Sequence, residues 1–259
     1  MNSAARAHLY NLAKTIGKPI GVYPFPKTYR RHLLDVLEQL RISCVIDVGA
    51  HTGGWATILR GIGYKGTILS FEPVSASFEQ LAELARNDEK WKVFPFALGE
   101  QDSTASIHLY KASDFNSLLD AQAFARQRFS HELVEFGTEQ VQIRRLDTLF
   151  TDLHLSDQEV YLKIDTQGYD KKVVAGALGI LDRVIAMQSE LPGARPIYRG
   201  QPNMIESLGF YRSLGYFPTG FFPIVHGYDG LAVIEFDVVF TRQNDQQDSD
   251  QWKATDSAA

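Results

Sequence analysis

The sequence predicts an α/β fold: a mostly parallel sheet of seven strands with helices on both faces. Two observations carry this. Short β-branched runs alternate with helix-period segments as β-α-β-α-β over residues 44–97, and the pattern resumes over 160–188, as in parallel strands joined by right-handed crossovers. The strand-like runs are short, mostly apolar and stop at Gly49, Glu72 and Asp165, as strands buried on both faces do. The expected architecture is Rossmann-like, with ligands held beyond the carboxyl ends of the strands.

In chain order, residues 1–43 read as a helical extension, with Leu33, Leu34, Leu37 and Leu40 on one face and Pro26 suited to a first turn. Cys44–Val48 is the first strand, followed by a helix over 55–60 closed by Gly61 and Gly63. Strands are expected at 67–71 and 92–97, with a helix over 77–85 between them. Residues 105–110 and 140–146 alternate like antiparallel strands around a polar excursion. A strand at 160–164, a helix at 171–181 and a strand at 184–188 resume the parallel pattern. A helix over 202–214, capped by Gly215, precedes a hairpin of 217–222 and 232–241. Residues 44–242 thus read as one domain, and 243–259 as a disordered polar tail.

Composition narrows the class. Of 259 residues, 44% are hydrophobic and 22% charged, the balance of a globular protein and not of a disordered one. Most of the net charge of −5 lies in the tail (Asp245, Asp248, Asp250 and Asp256 against one Lys), which leaves no basic field for nucleic acid or an anionic membrane. The longest apolar stretch, about 173–181, is far short of the ~18 residues that cross a bilayer. The first ten residues hold no signal-peptide core, and the lone Cys44 reads as a small core hydrophobe. A reduced, cytoplasmic protein is expected.

The first strand runs into Asp47-Val48-Gly49-Ala50-His51-Thr52-Gly53-Gly54, a turn whose glycines let backbone approach a ligand. Glu72 closes the second strand, where a carboxylate accepts the two hydroxyl hydrogens of an adenosine ribose. A dinucleotide site places a glycine where His51 stands, to admit a pyrophosphate. Asp47 repels a diphosphate and suits an ammonium. These residues favour S-adenosylmethionine, which carries an ammonium and a sulfonium and no phosphate.

Ordered short motifs then identify a family. Val45 to Gly54, Phe71-Glu72-Pro73, Ala97-Leu98-Gly99, Asn116-Ser117-Leu118, Leu146-Asp147-Thr148-Leu149 and the run from Leu162 to Asp170 resemble the FkbM family of S-adenosylmethionine-dependent methyltransferases. So do Gly200-Gln201-Pro202, Leu214-Gly215-Tyr216 and the strand that holds Asp237 and Phe240. Where that family commonly has L-K-I-D-x-E-G-x-E, this chain has Gln167 and Asp170. The resemblance implies a class I methyltransferase fold. It implies that Gly49 and its turn (Asp47, Ala50, His51, Thr52, Gly53) hold the methionine part, Glu72 beside Pro73 the ribose, and Ala97 and Leu98 the adenine. Ser117 and Asp165 would line the methionine and acceptor side, and Trp55, Phe71, Phe94, Phe96 and Tyr169 are candidates to enclose the sulfonium or to be plain core.

Methyl transfer to a hydroxyl needs alignment and a base, or a cation that acidifies the alcohol. Asp165 and Glu190, at neighbouring strand ends, are candidates to take the proton or to hold a divalent ion such as Mg2+. His226, in the loop 223–230, is an alternative base, and Arg195 and Tyr198 are candidate lid residues. The resemblance suggests a hydroxyl on a saccharide, glycolipid or secondary metabolite as the acceptor, with no nucleic acid partner. Two other readings stay open: an NAD-linked oxidoreductase on the same fold, and a non-catalytic S-adenosylmethionine-binding protein.

Overall fold

The computed structural model describes residues 28–242, apart from 154 and 227–230. Its centre is a seven-stranded sheet in the order β3-β2-β1-β7-β8-β10-β9. β1 (Cys44–Val48), β2 (Thr67–Phe71), β3 (Trp91–Phe94), β7 (Val160–Ile164) and β8 (Val184–Pro192) run parallel. β9 (Tyr216–His226) and β10 (Val233–Arg242) close it as an antiparallel hairpin, with β10 against β8. Both faces are covered. Leu33, Val36 and Leu37 of α1 (Tyr29–Gln39) pack with α2 (Gly54–Gly61) and α3 (Ser75–Ala85) on Val45, Tyr161, Ala186 and Val239. On the other face α5 (Leu146–Asp152), α6 (Asp170–Ala175) and α7 (Met204–Ser213) cover Ile46, Leu162, Met187 and Phe240. An Asn203–Glu206 capping box starts α7, satisfying two of its orphan donors.

Several boundaries differ from expectation. The run 92–97 is not one strand: it breaks at Pro95, which has no N–H for a ladder. Ala97–Leu98 is instead β4 of a second sheet, β4-β6-β5, with β5 (Ser103–Tyr110) and β6 (Glu135–Arg144). Leu146 opens a helix and ends no strand. The helix expected over 171–181 stops at Ala175, and a 3-10 turn, Leu178–Ile180, follows. Gly176 lies so close to the chain there that a Cβ would stand 1.9 Å from the Gly99 carbonyl oxygen. β8 runs on to Pro192, so Glu190 lies inside a strand and does not end one. Pro26 and the tail 243–259 lie outside the described residues.

Register aligns the polar residues of the α1–α2 face. Asp47 sits beside Ser70 on one side and Lys163 on the other, and Lys163 sits beside Gln188. Two residues farther along each parallel strand come Glu72, Gly49, Asp165 and Glu190, with Asp237 of β10 opposite Glu190. The sheet thus carries two transverse polar rows, the second at the edge where such sheets bind ligands.

Candidate active site

A cavity of about 410 Å³ opens at that edge, within the usual size range of small-molecule sites. Gly49, Ala50, His51, Thr52, Glu72 and Pro73 line it. Ala97, Leu98, Ser117, Asp165 and Glu190 line it as well. Three expected residues lie elsewhere. Asp47, expected at the mouth, is fully buried below it, with Lys163 Nζ 3.2 Å from its Oδ1 and the Ser70 hydroxyl donating to its Oδ2 at 3.3 Å. Gly53, at φ 86°, closes the turn behind the cavity, where a Cβ would meet Leu81, Leu84 and Trp91. His226, expected in a loop, is drawn into the end of β9 by pairing with Val233 and is exposed, while its neighbours Ile224 and Val225 line the cavity.

Glu72 is held by its surroundings. Its two oxygens accept the backbone N–H groups of Val74 (2.9 Å) and His51 (2.8 Å). A carboxylate has about four acceptor positions, so two remain for a diol in the cavity. Burial pushes its pKa up to about 7, against those two N–H groups. His51 stands at φ 50°, and its ring reaches Ser113 Oγ at 2.8 Å and Asp114 at 3.3 Å. A 3-10 turn, Ser113–Phe115, is thereby tied to the glycine turn. Gly49, at φ 75°, leaves no room for a side chain, since a Cβ would lie 1.9 Å from the Asp165 carbonyl oxygen. The two strand ends meet backbone to backbone.

Gln167, at φ 52°, organises the acids. Its amide donates to Asp165 Oδ1 (3.1 Å) and Glu190 Oε2 (2.8 Å), and its own oxygen faces the Tyr198 hydroxyl at 2.9 Å. The Ser117 hydroxyl donates to the Gln167 carbonyl at 2.7 Å and accepts from Leu119 N–H at 3.0 Å. Asp170 takes the Thr166 and Ser189 hydroxyls, both at 2.6 Å, which makes it a brace for the loop before α6. Burial, then neighbouring Glu235, pushes Glu190 well above the usual carboxylate range. Tyr198 is buried, and Arg195 is exposed over Phe124, 5.8 Å from its centroid. Of the aromatic candidates, Trp55, Phe71 and Tyr169 line the cavity, whereas Phe94 and Phe96 pack on Phe71 beside it.

Two cavity residues escaped the sequence reading of roles. Lys163 bridges Asp47 and Asp165, 3.2 Å from each. Glu235 of β10 lines the cavity with a buried Oε1 that has no hydrogen-bond partner. A lysine within a wholly buried strand, and acids alternating in β10, were the available signals.

The donor set fits S-adenosylmethionine and not a dinucleotide. Five carboxylates line the cavity (Glu72, Asp114, Asp165, Glu190, Glu235), and among the described residues its only lysine or arginine is Lys163, already paired. A diphosphate would meet repulsion there, while a ligand with a sulfonium and an ammonium meets the opposite sign. Among the described residues no three His, Cys, Asp or Glu side chains are grouped to hold a metal ion, and no helix is long and apolar enough to cross a membrane.

The chain is similar to several known proteins. A curated relative from Beauveria bassiana (strain ARSEF 2860), "Methyltransferase 1", is 25% identical over 185 residues, covering 65% of this chain and 72% of its own. Among solved structures, the 1,6-didemethyltoxoflavin-N1-methyltransferase of Burkholderia thailandensis is 11% identical at a TM-score of 0.46, covering 93% of this chain and 87% of that one. An rRNA methylase from Streptococcus thermophilus is 9% identical at a TM-score of 0.45, covering 85% and 99%. The Methyltransferase FkbM domain matches residues 47–217, more than half of the chain. The protein therefore belongs to the FkbM family of S-adenosylmethionine-dependent methyltransferases.

Proposed function

We propose that the protein is an O-methyltransferase acting on a hydroxyl of a saccharide, glycolipid or other secondary metabolite. The observation that carries the reading is the carboxylate pair Asp165–Glu190, joined through Gln167 and lining the same cavity as Glu72. Bound there, S-adenosylmethionine supplies an electrophilic methyl carbon on a sulfonium. Glu72 takes the ribose hydroxyls on its two remaining acceptor positions, Ala97 and Leu98 flank the adenine, and the Gly49–Thr52 turn holds the methionine end. Glu190 would take the proton of the acceptor hydroxyl, and loss of the methyl group from the sulfonium would leave S-adenosylhomocysteine as the second product. Burial raises the Glu190 pKa above the usual carboxylate range, and a carboxylate so raised is, once ionised, a stronger base than a solvated one. Asp165 pairs with Lys163 and accepts from the Gln167 amide, which aims the Glu190 carboxylate. The proton route assigned is direct base catalysis by Glu190, held in place through Gln167.

The test is transfer of labelled methyl from S-adenosylmethionine to a saccharide panel, with the new bond mapped by mass spectrometry. An O-methyl product is expected, and an N-, S- or C-methyl product would overturn the reading. Glu190→Gln should cost about 10²-fold in kcat with S-adenosylhomocysteine affinity unchanged. S-adenosylhomocysteine binding without transfer to any acceptor would favour the non-catalytic alternative.

A further inference from the structure

Of the cavity carboxylates without a task in methyl transfer, Asp114 is paired with the His51 ring, whereas Glu235 is not paired. It stands on β10 opposite Pro192 of β8, and Asp237, two residues on, stands opposite Glu190. Glu190 and Glu235 are therefore diagonal neighbours on one face, a separation that long side chains span. Glu235 is 4% exposed, yet its Oε1 has no hydrogen-bond partner. A buried acceptor left unpaired is costly, and a ligand donor is the ordinary relief.

The surrounding charges select the kind of donor. Asp165 faces Glu235 from the end of β7, Asp170 from the start of α6, Asp237 from its own strand and Glu190 from β8. The Tyr198 hydroxyl faces it from the segment before α7. On the β9 side the paired residue is Val225, with His226 one step on, opposite Val233. The nearby cation, Lys163, is committed to Asp47 and Asp165. An anionic acceptor would be repelled, and a neutral hydroxyl would fill one lone pair without balancing charge. An ammonium offers three donors and the opposite sign.

We propose that Glu235 and Glu190 together recognise a protonated amine that the acceptor carries beside the hydroxyl to be methylated. This deepens the O-methyltransferase reading and rests on it. In the free protein, burial and then Asp165, Asp170 and Asp237 push Glu235 up to about 8, so it holds a proton at neutral pH. An ammonium takes the place of that proton. Its positive charge also draws Glu190 down toward its ionised form, the form that accepts the hydroxyl proton. The base thus becomes competent when the right acceptor arrives.

The test uses the full chain with S-adenosylhomocysteine and three probes: glucosamine, glucose and glucuronate, titrated by calorimetry at neutral pH. Glucosamine should bind about tenfold or more tighter than glucose, release protons in buffers of differing ionisation enthalpy, and leave glucuronate the weakest. Glu235→Gln should bring glucosamine and glucose to within about twofold. Val225→Lys, which sets an ammonium opposite Glu235, should do the same should the Gln variant fold poorly. Equal binding of glucosamine and glucose, no binding of any probe, or an amine preference that survives both substitutions overturns the proposal. S-adenosylhomocysteine affinity is read separately. Its absence sinks the methyltransferase assignment of the cavity, whereas its presence without an amine preference sinks only this inference.

Discussion

Lys163 is the residue whose charge the fold should miss most. It is 4% exposed in a central strand, with Nζ 3.2 Å from Asp47 Oδ1 and 3.2 Å from Asp165 Oδ2. Burial alone would pull its pKa down, but Asp165 and Asp47 outweigh that and hold it above the usual lysine range. Lys163→Met keeps most of the stem and removes the charge. Asp47, fully buried, then retains only the Ser70 hydroxyl at 3.3 Å. Leaving one member of a buried pair uncompensated costs about 3–5 kcal/mol. The Asp165 side chain is 38% exposed, so solvent screens it and Asp47 carries the cost. Burial already pushes Asp47 upward, and without Lys163 its strongest opposing attraction is gone. A carboxyl whose folded pKa is raised gives stability below its unfolded pKa of about 3.9 and loses it as pH rises through the folded value. The deficit of the variant should therefore be larger at about pH 8 than at about pH 5. Urea unfolding followed by tryptophan fluorescence measures it, and Lys163→Met with Asp47→Leu should recover most of the loss. A single-variant cost under about 1 kcal/mol at the higher pH, or a double variant no better than the single, would refute the reasoning.

Three further outcomes follow from the same geometry. Since burial pushes Glu72 up to about 7 and its ionised form accepts a ribose diol, S-adenosylhomocysteine affinity should rise between about pH 6 and 8 and stay flat in Glu72→Gln; a flat wild-type profile by calorimetry would contradict the contact. Gly49→Ala, at φ 75° with its Cβ 1.9 Å from the Asp165 carbonyl, carries about 1–2 kcal/mol of left-handed strain besides the clash. A lowered Tm and at least about tenfold weaker S-adenosylhomocysteine binding are expected. Gln167→Glu installs the residue common in the family but removes the N–H donors to Asp165 and Glu190. Its Tm should fall more at about pH 8 than at about pH 5, and equal melts at both would argue against the bridge.

The main sheet was legible because parallel strands covered on both faces read as short, mostly apolar, β-branched runs; all five residues of β1 and of β7 are buried, Asp47 and Lys163 included. In the second sheet the antiparallel pair β5–β6 was legible from its alternation, but β4 was not, because it has two residues and its partner lies far along the chain, at Ile143 and Arg144. Within the site, Glu72 and Asp165 were placed by their position just past strand ends. Asp47 was misplaced for a physical reason. Period two tells which face a side chain takes but not how far a helix overhangs it, and Trp55 and Tyr29 roof that row. Lys163 stood inside a quoted motif with no role, since a buried lysine shows its purpose only beside its two carboxylates. Glu235 needed the β8–β10 register, which no local pattern supplies.

The two polar rows divide the work. In the inner row Trp55 Nε1–H donates to the Tyr29 hydroxyl, which donates to Gln188 Oε1 at 2.8 Å, while Lys163 balances Asp47. Asp47, Ser70 and Gln188 of that row are buried outside the cavity lining, so they act on stability. The outer row, Glu72, Asp165, Glu190 and, one pair farther, Glu235, opens to the cavity with its acids in excess. Removing one of those carboxylates relieves mutual repulsion as well as deleting a ligand contact, so Glu190→Gln and Glu235→Gln should leave the fold as stable or more stable while changing what binds. Ser70→Ala should do the reverse, lowering stability without altering ligand preference. Lys163 touches both rows, through Asp47 below and Asp165 above. Its substitution should therefore change stability and cofactor affinity together, and a variant in which the two separated would break the link between the rows.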